Sequence, residues 1–146
     1  KRANFVLIFL KCKLSDKLYP NFSPIVSGND KSSSRMGCYF VRKKDVDKYL
    51  SEPQTIQLRH SVRTQVNYSY PVYNFGGVKG KSFDHVLIYP TAEMRNWLIN
   101  GTDNLKQETR AKLYVAMTRA RFSVGFVVDY PDELENDLIS KFNDDL

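Results

Sequence analysis

Two arginines, Arg119 and Arg121, are the side chains best placed to do chemistry in this sequence. They lie in a predicted short turn at the end of a helical segment, whose apolar positions within residues 105–120 recur at helical spacing. The turn leads into residues 122–128, a β-branched and aromatic run typical of a buried strand. An arginine is a planar and permanently charged cation, so it suits contacts with phosphates and carboxylates. The spacing alone favours a simpler interpretation, in which both residues are ordinary cations near the end of a helix, stabilised by the helix dipole.

The glycine- and lysine-rich stretch 76–82 is the second candidate. It ends in the Gly-Lys-Ser order of a phosphate-binding loop, G-x-x-x-x-G-K-[ST], but Phe75 stands where the first glycine of that loop belongs. A phosphate-binding loop must also open a helix, whereas residues 85–89 form an apolar run that predicts a strand, stopped by Pro90. We therefore do not expect this stretch to be an ATP-holding loop of that kind.

Alternating strand and helix patterns position these two stretches. Short apolar or β-branched runs predict strands at residues 37–42, 55–59, 72–75, 85–89 and 122–128. Amphipathic spacing predicts helices at residues 44–50, 92–99, 105–120 and 133–142. Trp97, in the second of these helices, is expected in the core. The alternation predicts an α/β fold with a mainly parallel sheet flanked by helices.

Composition places the chain among ordinary soluble globular domains. Its 146 residues suffice for one compact domain, and no apolar run is long enough to span a membrane. The two cysteines are far apart and form no metal-binding spacing, which favours a reducing compartment and hence the cytoplasm. The net charge of +6 fits a polyanionic partner, but it equally fits a lysine-rich solvated surface. Because the sequence starts with Lys1, we expect a piece of a longer protein or a processed product.

Residues 113–121, with the sequence LYVAMTRAR, closely resemble the last signature motif of superfamily I helicases of the UvrD/Rep type. In that family the motif belongs to the second of two RecA-like motor domains, and its arginine reaches the γ-phosphate of ATP held by the first. The resemblance implies that Arg119 is catalytic and nucleotide-binding, as an arginine finger that meets the charge developing during phosphoryl transfer. It also implies that Thr118 contacts the nucleic acid.

Residues 78–86, with the sequence VKGKSFDHV, resemble the Lys-Gly-Leu-Glu-Phe-Asp-x-Val segment of the same family. The matching positions are Lys79, Gly80, Phe83 and Asp84. The glutamate of the family contacts the nucleotide ribose. Ser82 stands in its place, with a hydroxyl that can still form a hydrogen bond.

The roles of this second segment follow from the resemblance. In the family the loop touches both the nucleotide cleft and the nucleic-acid backbone. Nucleotide contacts are therefore implied for Gly80 and Ser82. Nucleic-acid contacts are implied for Lys79 and Lys81, because glycines allow close approach of phosphates and lysines supply charge. A plain glycine-rich turn between two strands is the alternative.

The first half of the chain resembles the family only loosely. Arg42 ends the predicted strand 37–42 as in the family's Tyr-Arg-x-Asn motif, which lies near single-stranded nucleic acid, and this implies a nucleic-acid contact. A solvated turn is the alternative, at even weight. Near the start, Val6 stands where the family has a second arginine for the γ-phosphate, so either this contact is degraded or the alignment is shifted.

The resemblance implies a second RecA-like motor domain at residues 37–146, without the family's large inserted helical domain, preceded by a segment and loop at residues 1–36. The sequence has no phosphate-binding loop, no magnesium-binding Asp-Glu pair on a strand and no glutamine motif for adenine. We therefore expect ATP and Mg²⁺ mainly on an N-terminal ATPase motor domain of the same polypeptide, with no ATP hydrolysis by this chain alone. The other expected partner is single-stranded DNA, and no metal site or membrane contact is expected.

Two alternatives remain open beside the helicase interpretation. The first is a non-catalytic nucleic-acid-binding module derived from a helicase, which Val6 and Ser82 favour and the well-kept motif around Arg119 opposes. The second is a structural or interaction domain that only reuses the fold.

Overall fold

The structure is a computed structural model that describes residues 35–100, 105–136 and 139–142. One sheet contains the strands β1 (Gly37–Val41), β2 (Thr55–Arg59), β3 (Val72–Asn74), β4 (Phe83–Tyr89), β5 (Ala120–Val127) and β6 (Ser140–Lys141). The α-helices are α1 (Val46–Leu50), α2 (Ala92–Asn100) and α3 (Gln107–Thr118). Short 3₁₀ helices cover Lys43–Asp45 and Phe75–Val78.

The sheet is parallel throughout, with the strand order β3-β2-β4-β5-β1-β6. Its central strands are buried on both faces, which explains nearly continuous apolar runs such as Val86, Leu87 and Ile88 in β4. The predicted α/β fold with a mainly parallel sheet flanked by helices is confirmed. The predicted strands and helices between residues 37 and 128 are all present, with ends that differ by a few residues.

Alternate strand residues point into two separate cores. Val86 and Ile88 belong to the larger core, which α2 and α3 cover and which includes Trp97 as predicted. Leu87 faces the other side of the sheet and packs in the smaller core with Tyr49 of α1. Helices therefore lie on both faces, as the parallel connections require.

A glycine in β5 allows α1 to approach the sheet closely. A Cβ atom added at Gly125 would lie 2.9 Å from Leu87 Cδ1 and 2.9 Å from Tyr49 Cζ. These distances are shorter than the optimal separation of carbon atoms, about 3.5–4.0 Å. Gly125 therefore makes room for the Tyr49 ring, whose hydroxyl then reaches the side chains of the sheet.

The predicted closing helix at residues 133–142 is wrong. In its place, Ser140–Lys141 forms β6, which pairs in parallel with β1, and the Phe142 N–H donates to the Phe40 carbonyl across 2.9 Å. Ile139 packs in the larger core and Phe142 in the smaller one, on opposite faces of the sheet. A helix would have placed two residues three positions apart on the same face, so the apolar positions were correct but the period was not.

Several expectations concern residues outside the described ranges. The N-terminal segment with Val6 and most of the loop that follows it belong to this group, so the division between residues 1–36 and 37–146 stays a prediction. Among the helices of the described ranges, none is long and apolar enough to cross a membrane.

Candidate nucleotide and nucleic-acid site

The two motifs meet at the edge of the sheet where the strands begin, which we call the amino edge. β4 and β5 are parallel neighbours, so the segments that precede them end at the same edge. The loop 79–82 precedes β4, and Arg119 precedes β5. The Phe83 N–H donates to the Arg119 carbonyl across 2.8 Å and joins the two segments directly.

Arg119 is held by main-chain carbonyls from both motifs. It is the only residue between the end of α3 and the start of β5, and its backbone is still helical, with φ −75° and ψ −14°. Its Nε donates to the Val115 carbonyl and one terminal nitrogen donates to the Lys81 carbonyl, each across 3.3 Å. A guanidinium has five N–H donors, so three remain for a ligand. Neither acceptor is an acid, so the positive charge is not neutralised.

Arg121 lies in β5 and not in the expected turn, which is shortened to Arg119 alone. Phe83 pairs with Ala120 but His85 pairs with Ser123, so β5 has one extra residue and forms a bulge opposite Asp84. Arg121 is about half exposed, and its guanidinium lies 3.5 Å from the Asp84 carboxylate. Bulges of this kind often redirect side chains next to functional sites.

The loop before β4 is a tight turn that presents charge to solvent. Lys79, Lys81 and Ser82 are exposed, and the Lys81 N–H donates to the Val78 carbonyl across 3.0 Å. Gly80 has φ +80°, a conformation that favours glycine. The chain then enters β4 and not a helix, in agreement with the rejection of an ATP-holding loop.

Thr118, the last residue of α3, also lies at the amino edge, but its side chain bonds to its own helix. Its hydroxyl donates to the Val115 carbonyl across 3.0 Å. The hydroxyl proton is therefore already used, and only its oxygen lone pairs remain for a nucleic acid.

Arg42 lies at the opposite edge of the sheet, where the strands end, which we call the carboxyl edge. It follows β1, so the structure does not bring it near the other predicted residues. Its guanidinium bonds to the Asp132 carboxylate, donates to the Tyr130 carbonyl across 3.1 Å and lies 4.3 Å above the Tyr130 ring. The hydrogen bond from Arg42 holds the pKa of Asp132 below its ordinary value. The sequence did not point to Asp132, which is 90 positions away.

The carboxyl edge also has a cleft of about 610 Å³ that sequence reasoning missed. Its lining includes Lys43, Tyr68, Tyr89 and Arg95. Gln57, buried in β2, shapes one wall, because its side-chain amide donates to the Asn67 carbonyl across 2.7 Å and accepts from the Tyr89 hydroxyl across 2.5 Å. A buried glutamine within an apolar strand was the signal for this anchored loop. Clefts at the carboxyl ends of parallel strands are common ligand sites.

A buried polar network, also missed, lies on the α1 side of the sheet. Ser123 Oγ is 2.6 Å from His85 Nδ1 and 2.7 Å from the Tyr49 hydroxyl. The Glu52 carboxylate lies 4.0 Å from His85 Nε2. Burial raises the pKa of Tyr49 well above its ordinary value. Ser123 and His85 are completely buried, so the network ties α1 to β4 and β5 and does not meet a substrate.

Metal binding has no evident place in this part of the chain. The described residues contain no group of three or more His, Cys, Asp or Glu side chains that could hold an ion.

The parallel sheet and the two joined motifs define a superfamily I helicase motor domain. A family model described as the viral superfamily 1 RNA helicase core domain matches residues 15–128, which is most of the chain. The chain therefore belongs to this family.

The chain was also compared with solved structures and with curated proteins. A similar solved structure is the C-terminal domain of a possible DNA helicase from Lactobacillus plantarum WCFS1, at 15% identity and a TM-score of 0.47, covering 71% of this chain and 84% of that one. No curated protein matches the chain in sequence.

Proposed function

We propose that this chain is the second motor domain of an ATP-dependent helicase and supplies Arg119 as an arginine finger. The ATP and its Mg²⁺ are held mainly by an N-terminal ATPase motor domain of the same polypeptide. One observation carries the proposal: the Arg119 guanidinium is fixed by two carbonyls, remains a full cation and keeps three N–H donors. A planar cation in this state suits the charge that develops on a transferring phosphoryl group.

The same geometry supports coupling between ATP and the nucleic acid. Lys79 and Lys81 are the proposed strand contacts, and the Lys81 carbonyl is also an acceptor for Arg119. A strand that shifts this loop therefore shifts an acceptor of the arginine. Conversely, closure of the two motor domains around ATP draws Arg119 and the loop together, and hydrolysis releases both, which steps the pair along one strand.

The nucleic acid in the proposal is a single strand. The resemblance to UvrD-like proteins favours DNA, whereas the description of the matched family names RNA. The cleft at the carboxyl edge supports a polyanion with bases, because it combines the cations Lys43 and Arg95 with the aromatic rings of Tyr68 and Tyr89. Titrations with DNA and RNA strands of equal length decide between the two polymers.

A non-catalytic nucleic-acid-binding module is the second candidate. Ser82 supports it, because this exposed hydroxyl replaces the carboxylate that the family uses to hold the ribose. This candidate predicts strand binding that depends steeply on salt and is unaffected by ATP.

The deciding experiment changes Arg119→Ala in the full polypeptide and measures ATP hydrolysis with saturating single strand. We expect kcat to fall about 1,000-fold or more, the usual contribution of an arginine finger. Arg121→Ala is the matched control. It removes the same charge only two positions from Arg119, but the Arg121 side chain pairs with Asp84. The fall in kcat for Arg121→Ala should stay below about tenfold. Near-normal turnover in Arg119→Ala, with thermal unfolding unchanged, would exclude the arginine finger.

A further inference from the structure

A small pocket at the carboxyl edge brings three cations and two carboxylates together beside an aromatic ring. It has a volume of about 200 Å³ and is lined by Arg42, Lys44, Asp45, Tyr130, Asp132, Lys141 and Phe142. We call it the Arg42 pocket. Cations on an aromatic face are a common way to build a site for an anion such as a phosphate.

The cations of this pocket are positioned before any ligand arrives. Arg42 lies 4.3 Å above the Tyr130 ring and donates to the Tyr130 carbonyl. Lys141 Nζ lies 5.8 Å from the same ring and bonds to the Asp132 carbonyl. Lys44 is exposed and has no ion pair within the described ranges. The three cations thus exceed the two carboxylates by one charge, and Arg42 and Lys141 are already oriented.

The Asp132 carboxylate pairs with the Arg42 guanidinium, although this ion pair contributes little to the stability of the protein. Its side chain is 86% exposed, while that of Arg42 is 26% exposed. Ion pairs with an exposed partner usually contribute little to stability. A carboxylate bound to a guanidinium has the same charge and the same oxygen acceptors as a phosphate in that position.

We propose that the Asp132 carboxylate is an internal competitor that occupies the phosphate position of the Arg42 pocket until a backbone phosphate of a single strand displaces it. The proposal rests on the nucleic-acid contact in the proposed function and adds a regulated site to it. Displacement is possible because the carboxylate is exposed and can turn into solvent. Arg42, Lys44 and Lys141 then face the phosphate together.

The test compares Asp132→Asn with Asp129→Asn in binding of a fluorescent 12-nucleotide strand at several salt concentrations. Asp129 is the matched control, because it is an exposed acid on the same edge whose carboxylate lies 3.7 Å from Lys43 Nζ. Both changes remove one negative charge, but only Asp132→Asn frees Arg42. We expect Asp132→Asn to tighten binding about two- to fivefold, which is what an exposed ion pair can withhold.

The salt dependence of strand affinity is an independent test of the displacement of Asp132 by a phosphate. In the unmodified protein the displaced Asp132 carboxylate takes up a cation when the phosphate releases one, whereas Asp132→Asn takes up none. The dependence of log affinity on log salt should therefore be steeper in Asp132→Asn by about 0.7 for a single strand. Asp129→Asn frees Lys43 and not Arg42, so any gain that it gives should persist when Arg42 is replaced. Asp132→Ala should repeat the result of Asp132→Asn, and neither change should lower the thermal unfolding midpoint by more than the small loss expected for an exposed ion pair.

Combination with Arg42→Gln identifies the cation responsible. The gain from Asp132→Asn should disappear when Arg42 is replaced. A gain from Asp132→Asn that persists without Arg42 would overturn the proposal that Asp132 competes with the phosphate. If the strand binds through Lys79 and Lys81 but Asp132→Asn does not increase its affinity, only the proposal that Asp132 competes with a phosphate is rejected. If no variant binds a strand, the strand contact in the proposed function is rejected as well.

Discussion

The amino and carboxyl edges of the sheet each fix an arginine, but by different acceptors. At the amino edge, Arg119 donates to the main-chain carbonyls of Val115 and Lys81. At the carboxyl edge, Arg42 bonds to the carboxylate of Asp132 and donates to one carbonyl. Carbonyls orient a guanidinium without neutralising it, whereas a carboxylate does both. In the proposed roles, the first arginine therefore meets a phosphate directly, whereas the second must first lose its partner.

The largest expected difference between the two edges is in the effect of replacing each arginine by lysine. Lysine at position 119 loses the planar fork that two carbonyls hold, so we expect ATP hydrolysis by the full polypeptide to fall about 100-fold or more. Lysine at position 42 keeps the point charge that a phosphate contact uses, so strand affinity should change less than about threefold. Steady-state ATPase assays and strand titrations measure the two effects. A large loss of affinity in Arg42→Lys would show that the carboxyl edge also depends on the fork.

Replacement of paired lysines should have a smaller effect and shows how many phosphates each edge contacts. Lys79→Gln with Lys81→Gln should lower the salt slope by about 1.4, because each lost contact to a single strand contributes about 0.7. Lys43→Gln with Lys44→Gln should lower it by only about 0.7, since Lys43 already pairs with Asp129. Titrations between low and moderate salt give both slopes. An unchanged slope in the first double variant would remove the glycine loop from the strand path.

The smallest expected effect is the pH dependence of the carboxyl edge. Arg42 lowers the pKa of Asp132, so the stabilisation from this pair is present above the pKa of an unfolded aspartate, about 3.9. It is lost as pH falls through the still lower pKa of the folded state. Urea unfolding should therefore show a constant difference between the protein and Asp132→Asn from pH 5 to 8. That difference should shrink as the pH falls below the pKa of an unfolded aspartate, about 3.9. A difference that changes near neutral pH would contradict this assignment.

Local pattern was enough to predict the sheet but not the partners of its arginines. The alternation of strand and helix patterns predicted the mainly parallel sheet, and the apolar runs of β4 and β5 predicted two of its strands. The helix expected at residues 133–142 failed because Ile139 and Phe142 are required on opposite faces, which a count of apolar residues does not reveal. Arg42 ends one predicted strand and the loop with Lys79 and Lys81 precedes another, so a parallel sheet places them at opposite edges, although the resemblance implies a nucleic-acid contact for all three.

The contacts that the sequence did not predict have one physical origin. Asp132 pairs with Arg42 across 90 positions, and Ser123 meets His85 only because β4 and β5 are neighbours with a bulge between them. These pairs depend on strand order, which sequence spacing does not encode. Polar residues within apolar strands, such as Gln57, were the one local sign that buried hydrogen bonds had to exist.

The position of β5 in the sheet has a consequence for how the chain is made. Among the described strands, β1 pairs only with β5 and β6, whereas β2, β3 and β4 pair among themselves and reach β1 only through β5. Among the described strands, β1 therefore has no partner until residues 120–127 have been synthesised. Until then its unpaired edge can pair with other chains, which is a route to aggregation. The strand that follows Arg119 thus determines when the described sheet can close, and we expect a chain truncated before residue 120 to be insoluble.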